Sequence, residues 1–262
     1  MVDKARRVVR KYYEFIITRV KLIFLQKKYI KGDVTLKYIL KKYKDSDKLV
    51  VVFSSCTRRG LKARYNYMRT LEGIKANRLF ILDDFAADKR GSYYMGPNFT
   101  FEEEKATLSL IEHIREELSV KDIICCGSSK GGYSALNFGL QIPYSKIVVG
   151  APQYFLSTYL HSSNNMECLR HIMGEFTEEK EKFLNDYLSK RIREDADKYT
   201  HTIYIHFSNK EHTYEEHVKY LLEELNKQGY AVNCDIADYT NHSDISYHFP
   251  DFLKKTVRKL TE

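Results

Sequence analysis

Short apolar runs alternate with helical stretches over most of this 262-residue chain, and this alternation constrains the fold more than any other feature. Most of the runs are β-branched or aromatic, and several are apolar throughout, as strands covered on both faces are. Strands separated by helices imply right-handed crossovers and a mainly parallel sheet. The predicted strands are residues 49–54, 79–82, 122–126, 146–150, 202–207 and 230–236. The predicted helices are residues 62–73, 101–118, 131–141, 154–196, 213–228 and 249–260.

Composition agrees with a folded α/β domain. Hydrophobic residues make up 43% of the chain and aromatic residues 13%, which is enough for a sizeable core and argues against global disorder. In a mainly parallel sheet, functional residues sit in the loops at the carboxyl ends of the strands. These loops are therefore the first place to look for chemistry.

The net charge of +8 is confined to the N-terminus, because residues 1–48 carry +10 and the remainder −2. This split predicts two parts, a basic helical arm over 1–48 and a catalytic domain over 49–262. Apolar residues recur at helical spacing over 5–25, with Lys and Arg between them. Such a helix fits either peripheral contact with a membrane or packing on the domain with a solvated basic face. No nucleic-acid-binding motif accompanies the charge, so we expect no nucleic-acid partner.

Other features bear on location and metals. The apolar runs near the N-terminus are far shorter than the roughly 18 residues of a membrane span, and charges interrupt any signal-peptide pattern. Five cysteines without Cys-x-x-Cys spacing indicate reduced thiols in a cytoplasmic protein and no structural zinc site. His212 and His217 do not match His-Glu-x-x-His, so we expect no metal.

The third predicted strand leads into Gly127-Ser128-Ser129-Lys130-Gly131, a Gly-x-Ser-x-Gly pattern. A sharp turn from strand into helix would expose the central hydroxyl, and flanking glycines avoid clashes at that turn. Ser129 is therefore the candidate nucleophile. The alternative is a glycine-rich β–α turn without chemistry. A phosphate-binding Walker loop is rejected, because Lys130 precedes the glycines.

A serine nucleophile needs a histidine base and a carboxylate that orients it. His242 follows the last predicted strand, where this architecture places its base, and His248 is its rival. Glu211 is the first acid after the fifth strand, as the order Ser, acid, His requires. Its alternative role is a helix N-terminal charge. Asp235 and Asp238 are the other acid candidates.

The loop after residue 53 is the candidate partner of the nucleophile. An oxyanion hole would combine the Lys130 N–H with that of Ser55 or Cys56. Arg58 and Arg59 could hold an anionic substrate or a cofactor phosphate, and an ordinary exposed loop explains them equally well.

The next carboxyl-end loop contains Tyr93 and Tyr94 between glycines. Aromatic side chains at this place could contact the rings and hydroxyls of a sugar. A purely structural turn explains the same residues equally well.

In this order, the motifs resemble the α/β-hydrolase superfamily. More narrowly, they resemble bacterial capsular-polysaccharide biosynthesis proteins, esterase-like accessory secretion proteins for glycosylated adhesins, and capsule O-acetyltransferases. The resemblance covers about residues 49–260, and its most specific element is the Ser-Lys-Gly-Gly elbow. The matching elements are Ser54-Ser55-Cys56-Thr57, Asp83-Asp84-Phe85, Gly91-Ser92-Tyr93-Tyr94, Gly127-Ser128-Ser129-Lys130-Gly131-Gly132, Glu211 and His242.

The resemblance implies an α/β-hydrolase-like, mainly parallel sheet of about six or more strands, with helices on both faces. It also implies Ser129 as nucleophile, His242 as base and Glu211 as acid. A polysaccharide or glycan substrate and acetyl-coenzyme A as acyl donor follow from the same likeness. No leading antiparallel hairpin is evident in the sequence, so we expect a minimal sheet.

Three functions stay open at this stage. O-acetyl transfer to a surface glycan is favoured, because a cytoplasmic enzyme of a capsule pathway needs transfer. Hydrolysis by a carboxylesterase or deacetylase of the same fold is the second. A non-catalytic component of the polysaccharide pathway is the third, and the intact set of Ser129, Glu211 and His242 argues against it.

Overall fold

The computed structural model describes residues 24–262, and in these residues eight strands form one sheet. The strand order is β1-β2-β4-β3-β5-β6-β7-β8, with β3 to β8 parallel to one another and β1 and β2 antiparallel to their neighbours. The strands are β1 Lys27–Lys31, β2 Val34–Lys41, β3 Lys48–Phe53, β4 Asn77–Leu82, β5 Asp122–Ser128, β6 Lys146–Gly150, β7 Thr202–Ser208 and β8 Ala231–Ala237. All six strands predicted from the sequence are confirmed.

Helices cover both faces of the sheet, as predicted. Most of the helices pack on one face, around a core that includes Leu136 and Leu184. The C-terminal helix packs on the other face through Phe249 and Leu253. The helices are α1 Glu102–Glu117, α2 Lys130–Leu140, α3 Leu156–Ser162, α4 Met166–Met173, α5 Glu178–Asp195, α6 Lys219–Lys227 and α7 Ile245–Thr261. A single π-helical turn, Tyr214–Val218, leads into α6.

The helix predicted over 62–73 is wrong, because these residues form a series of turns. The backbone of Tyr67 has a positive φ of 58°, which no right-handed helix contains. Apolar side chains of this region are nevertheless buried. Leu71 and Ile74 are buried beside α7 on the second face of the sheet.

The single helix predicted over 154–196 is three helices in the structure. Asn164 with φ of 53° and Gly174 with φ of 68° interrupt the chain, since right-handed helix requires negative φ. The last of the three, α5, begins at a Thr177 cap, whose hydroxyl accepts the Lys180 N–H at 3.3 Å.

The expectation of a minimal sheet without a leading hairpin is wrong. β1 and β2 form a hairpin across Gly32, and β2 pairs with β4 over Lys37–Lys41. Leu36 and Ile39 of β2 are fully buried in the cores of the two faces. Residues 27–41 therefore belong to the sheet, and the predicted boundary at residue 48 does not separate them from the domain.

The helix predicted over 5–25 lies almost entirely outside the described residues, so it stays a prediction. Within residues 24–262, no helix combines the length and apolar composition needed to cross a membrane.

We expect Leu36→Ala to lower the free energy of unfolding by about 2–5 kcal/mol, because it leaves a cavity beneath the hairpin. Ile30→Ala is the matched control on β1, where the side chain is 69% exposed, and should change stability by less than about 0.5 kcal/mol. Urea unfolding measures both. Equally small effects would show that the hairpin is not part of the cooperative fold.

Candidate active site

The β5–α2 turn holds Ser129 in a strained conformation that presents its side chain outward. Its φ of 50° and ψ of −121° lie far from both strand and helix. Glycine is required on both sides of the turn. A Cβ on Gly127 would lie 2.4 Å from the carbonyl oxygen of Gly131, and one on Gly131 would lie 2.6 Å from that of Phe53. The glycines of the sequence motif therefore allow the sharp elbow predicted from it.

Three predicted side chains meet at this turn in a continuous hydrogen-bonded chain. The hydroxyl of Ser129 donates to Nε2 of His242 at 2.9 Å, and Nδ1 of His242 donates to Oε2 of Glu211 at 3.0 Å. Because a carboxylate only accepts, the proton lies on Nδ1 and the lone pair on Nε2 faces the serine. This arrangement can take a proton from Ser129.

The fold brings these residues together from three loops at the carboxyl ends of the parallel strands. Ser129 follows β5, Glu211 follows β7, and His242 begins a 3₁₀ turn, His242–Asp244, after β8. The Glu211 side chain is fully buried, whereas that of His242 is 19% exposed. The carboxylate is thus shielded from solvent, while the imidazole lies at the open end.

The rival residues lie elsewhere. His248 lies in α7, and its ring stacks on that of Tyr239 with 5.0 Å between the ring centroids. Asp235 accepts a hydrogen bond from His206 at 2.6 Å, and Asp238 pairs with Lys210 on the surface. None of the rivals shares the hydrogen-bonded chain of Ser129.

Gln153 is a contact of Ser129 that the sequence reasoning missed. Its Nε2 donates to Oγ of Ser129 at 2.9 Å, and its Oε1 accepts from the hydroxyl of Tyr93 at 3.5 Å. Gln153 is fully buried in the loop after β6. The rule that functional residues lie at the carboxyl ends of strands also covers this loop, so the sequence did contain the signal.

Two backbone N–H groups can form the predicted oxyanion hole. Lys130 is the first residue of α2, so the helix itself provides no acceptor for its N–H. Cys56 N–H has no acceptor within residues 24–262. Ser55 is excluded as a donor, because its N–H is bonded to Oδ1 of Asn66 at 2.9 Å.

The side chain of Ser55, for which no role was predicted, also makes a contact beside Ser129. Its hydroxyl donates to the carbonyl oxygen of Ser128 at 3.0 Å. This bond ties the loop after β3, residues 54–60 (the β3 loop), to the residue before Ser129. The Ser128 hydroxyl in turn bonds to Tyr67, from the turns that replace the predicted helix. Burial raises the pKa of Tyr67 to about 12, so this phenol stays protonated at neutral pH.

Lys130 has a second role that its side chain provides. Its ammonium forms a salt bridge with Asp83 at 2.6 Å, and the two side chains are 2% and 0% exposed. Asp83 also accepts the N–H of Ser92 at 2.9 Å and donates its own N–H to Oγ of Ser54 at 3.0 Å. The elbow, the β4 loop and the start of the β3 loop are therefore joined below the site.

Arg90, another residue that the sequence reasoning missed, holds the β3 loop through contacts with Thr57 and Cys56. Its guanidinium donates twice to the carbonyl oxygen of Thr57, at 2.9 and 2.6 Å, and lies 3.1 Å from Sγ of Cys56. A further nitrogen donates to Oδ1 of Asn165 at 2.7 Å. These contacts fix the backbone that carries the Cys56 N–H.

The predicted substrate contacts divide into two groups. Arg58 and Arg59 are exposed on the β3 loop, and Arg59 donates to the carbonyl oxygen of Asn164 at 2.6 Å. Tyr93 and Tyr94 are only 2% and 0% exposed, so their prediction as sugar contacts is wrong. Both belong to the core, where burial raises their pKa well above the ordinary value.

Tyr94 shows why the aromatic loop faces inward. Its hydroxyl donates to the carbonyl oxygen of Ile81 at 2.9 Å and accepts the N–H of Ser54 at 3.0 Å. Its ring also lies 5.4 Å from the ammonium of Lys130. A phenol with these partners supports the loops and cannot reach a sugar.

His217 lies near the site and has a packing role. Nδ1 of His217 accepts the N–H of Phe155 at 3.3 Å, and its ring packs edge-to-face on Tyr159. Burial lowers the pKa of His217 to about 4, so the ring is neutral at neutral pH. Within the described part of the chain, no group of three or more His, Cys, Asp or Glu side chains could hold a metal ion.

The fold resembles those of several solved enzymes. The capsule O-acetyltransferase of Neisseria meningitidis serogroup A matches with a TM-score of 0.75 and 22% identity, over 90% of this chain and 99% of the other. A mutant of that enzyme in complex with CoA matches with a TM-score of 0.75 and 22% identity, over 88% and 94%.

A fluorophosphonate-binding serine hydrolase of Staphylococcus aureus matches with a TM-score of 0.64 and 14% identity, over 90% of this chain and 97% of the other. The chain therefore has the α/β-hydrolase fold, in agreement with the resemblance found in its motifs. No protein-family model matches the chain, and no curated protein matches it by sequence.

We expect Lys130→Met to lower the free energy of unfolding by about 3–5 kcal/mol, because it leaves the buried carboxylate of Asp83 without its counter-charge. Asp83→Asn should be similarly costly, since it leaves the ammonium unpaired. The double variant removes both charges and should lose much less than the sum of the single losses. A double-mutant cycle by urea unfolding measures this, and additive losses would mean that the pair is not coupled.

Proposed function

We propose that the protein is a serine-dependent O-acetyltransferase that acts on a surface polysaccharide through an acetyl-serine intermediate. The observation that carries the proposal is the ordered chain from Ser129 through His242 to Glu211 at a strained strand–helix elbow. The motif resemblance and the similarity to a capsule O-acetyltransferase support the choice of acetyl transfer and of a glycan acceptor. The acyl donor in this proposal is acetyl-CoA, which the CoA complex of that enzyme supports.

In the first half-reaction, Ser129 Oγ attacks the thioester carbonyl of acetyl-CoA while His242 Nε2 takes the hydroxyl proton. Glu211 stabilises the imidazolium, because its buried carboxylate lies against Nδ1. The N–H groups of Lys130 and Cys56 stabilise the tetrahedral oxyanion. Collapse of that intermediate breaks the C–S bond, and the imidazolium protonates the CoA thiolate as it leaves.

In the second half-reaction, a sugar hydroxyl replaces the thiol. Its oxygen attacks the acetyl carbonyl while His242 Nε2 accepts the hydroxyl proton. The acetyl group moves to the sugar oxygen as the bond to Ser129 breaks, and the imidazolium returns a proton to Oγ. Gln153 is held at 2.9 Å from Oγ throughout the resting state and keeps the hydroxyl directed towards the base.

The exposed arginines of the β3 loop are suited to the phosphates of the donor. Arg58 and Arg59 project from the loop whose Cys56 N–H completes the proposed oxyanion hole. A guanidinium binds phosphate oxygens through paired N–H groups. Phosphates held here would lie on the same loop as one of the two proposed oxyanion donors.

Hydrolysis is the second candidate function, since water can attack the same acetyl-serine intermediate. The similarity to a serine hydrolase is compatible with hydrolysis, but a shared fold does not choose between hydrolysis and transfer. We place the enzyme in the cytoplasm, beside the assembly of its glycan. Peripheral membrane contact through residues 5–25 stays a prediction.

Labelling with a fluorophosphonate probe tests the nucleophile. We expect the wild-type protein to be labelled and Ser129→Ala to be unlabelled, with acetyl-CoA turnover reduced by roughly 10⁴-fold or more. Ser134→Ala, a buried serine of α2, is a matched control that should keep the label. Equal labelling of the Ser129→Ala variant would refute the proposed nucleophile.

Release of CoA with and without a polysaccharide acceptor separates transfer from hydrolysis. An acceptor-dependent rate with acetyl esters on the glycan supports transfer. A rate that does not depend on the acceptor, with free acetate as the product, would establish the hydrolase instead.

Arg58→Gln should raise the KM for acetyl-CoA about tenfold, because one charge-assisted contact to phosphate is lost. Its KM for p-nitrophenyl acetate, which has no phosphate, should not change. Lys255→Gln removes one exposed charge from α7 and is the matched control. Equal changes for both donors would show that Arg58 does not recognise phosphate.

A further inference from the structure

The outer edge of β8 is open over the whole length of the strand. The strand pairs on one side with β7 through seven residue pairs, and no other strand within residues 24–262 pairs with its other side. Most of its residues are exposed, and Ile236 retains 61% of its surface. A regular edge strand with free N–H and C=O groups is a template for another strand.

The two edges of the sheet differ in how they are protected. β1, at the opposite edge, carries three lysines in five residues, and lysine discourages strand addition. β8 has no lysine, no proline and no glycine over Ala231–Ala237. Its single charged side chain, Asp235, is already hydrogen-bonded to His206 of β7. Only the β8 edge is therefore left suitable for pairing.

The sequence of β8 is complementary to itself when it is reversed. It reads Ala-Val-Asn-Cys-Asp-Ile-Ala, with Cys234 at its centre. If two copies pair antiparallel about Cys234, each residue faces a suitable partner on the same side of the sheet. The pairs are Ala231 with Ala237, Val232 with Ile236, Asn233 with Asp235, and Cys234 with itself.

These pairs are favourable on both faces of the combined sheet. Val232 and Ile236 form an apolar pair on the face that carries most of the helices, where Val232 already packs against the core. On the α7 face, the amide of Asn233 can donate to the carboxylate of Asp235 of the second copy. No two like charges meet, and each contact except the central Cys234 pair occurs twice, because the pairing is two-fold symmetric.

We propose that the protein forms a symmetric homodimer by antiparallel pairing of two β8 strands about Cys234, which joins two eight-stranded sheets into one. The occupant of the edge is a second copy of this chain, because the residue pattern matches its own reverse. The proposal does not depend on the proposed catalytic function. It also places Ala237, the last residue of the interface, five positions before His242.

Light scattering with charge variants of Asn233 tests this register. The wild-type chain should have twice its monomer mass of 30.9 kDa. Asn233→Asp sets two carboxylates opposite each other and should raise the dimer dissociation constant by about tenfold. Asn233→Lys sets a lysine opposite Asp235 and should preserve or strengthen the dimer.

Asn226→Asp makes the same charge change on the exposed surface of α6 and should leave the dimer unchanged. Because Asn233 is exposed, all three variants should melt like the wild type when followed by circular dichroism. Weakening by both the aspartate and the lysine at position 233 would overturn the register. A wild-type monomer at the highest soluble concentration would overturn the dimer.

Oxidation provides a second, geometric test. Directly opposed residues of antiparallel strands have Cα atoms about 4.5–5.5 Å apart, within the range that a disulfide spans. Diamide should accept two electrons and two protons as two Cys234 thiols form one intermolecular disulfide. Cys234→Ser should abolish the covalent dimer, since Cys125, Cys126 and Cys168 are buried and Cys56 is half-buried. Persistence of the covalent dimer in Cys234→Ser would contradict the proposed pairing.

Discussion

The buried ion pair between Lys130 and Asp83 joins the strained turn at Ser129 to the loops around it. Lys130 is the first residue of α2, so its N–H has no acceptor within the helix, while its side chain is buried in the core. Gly91 makes room for the pair, because a Cβ there would lie 2.4 Å from the ammonium nitrogen. Through Ser54, Asp83 also fixes the start of the loop that carries Cys56. The distance between the two proposed oxyanion donors therefore depends on a salt bridge that no solvent reaches.

The parallel sheet supplies the remaining geometry. Ser129, Glu211 and His242 follow different strands. Because those strands run in the same direction, their loops meet at the carboxyl end of the sheet. The loop after β6 contributes Gln153 at the same end of the sheet. A rigid sheet therefore positions side chains that are far apart in the chain. Dimerisation through β8 would extend this rigid sheet and add support beside the His242 loop.

Much of this could be predicted from periodicity and motif, and the failures have physical causes. The elbow at Ser129 was predictable because its glycines are needed locally. The turns at 62–73 were not, because Leu71 and Ile74 bury an apolar face without forming a helix. The β1–β2 hairpin was hidden because its lysines at exposed edge positions resemble a basic arm. Tyr93 and Tyr94 were misread, since loop position does not reveal which way a side chain faces.

The sequence by itself determined the order of the six parallel strands, the sharp turn at Ser129, and the order of Ser129, Glu211 and His242 along the chain. These properties depend on local backbone demands and on the spacing of residues along the chain. Only the tertiary structure decided which backbone N–H groups lack an acceptor, which tyrosines are buried, and that Gln153 contacts Ser129. Those outcomes depend on hydrogen-bond partners from distant segments, and such partners are defined only when the loops have packed together.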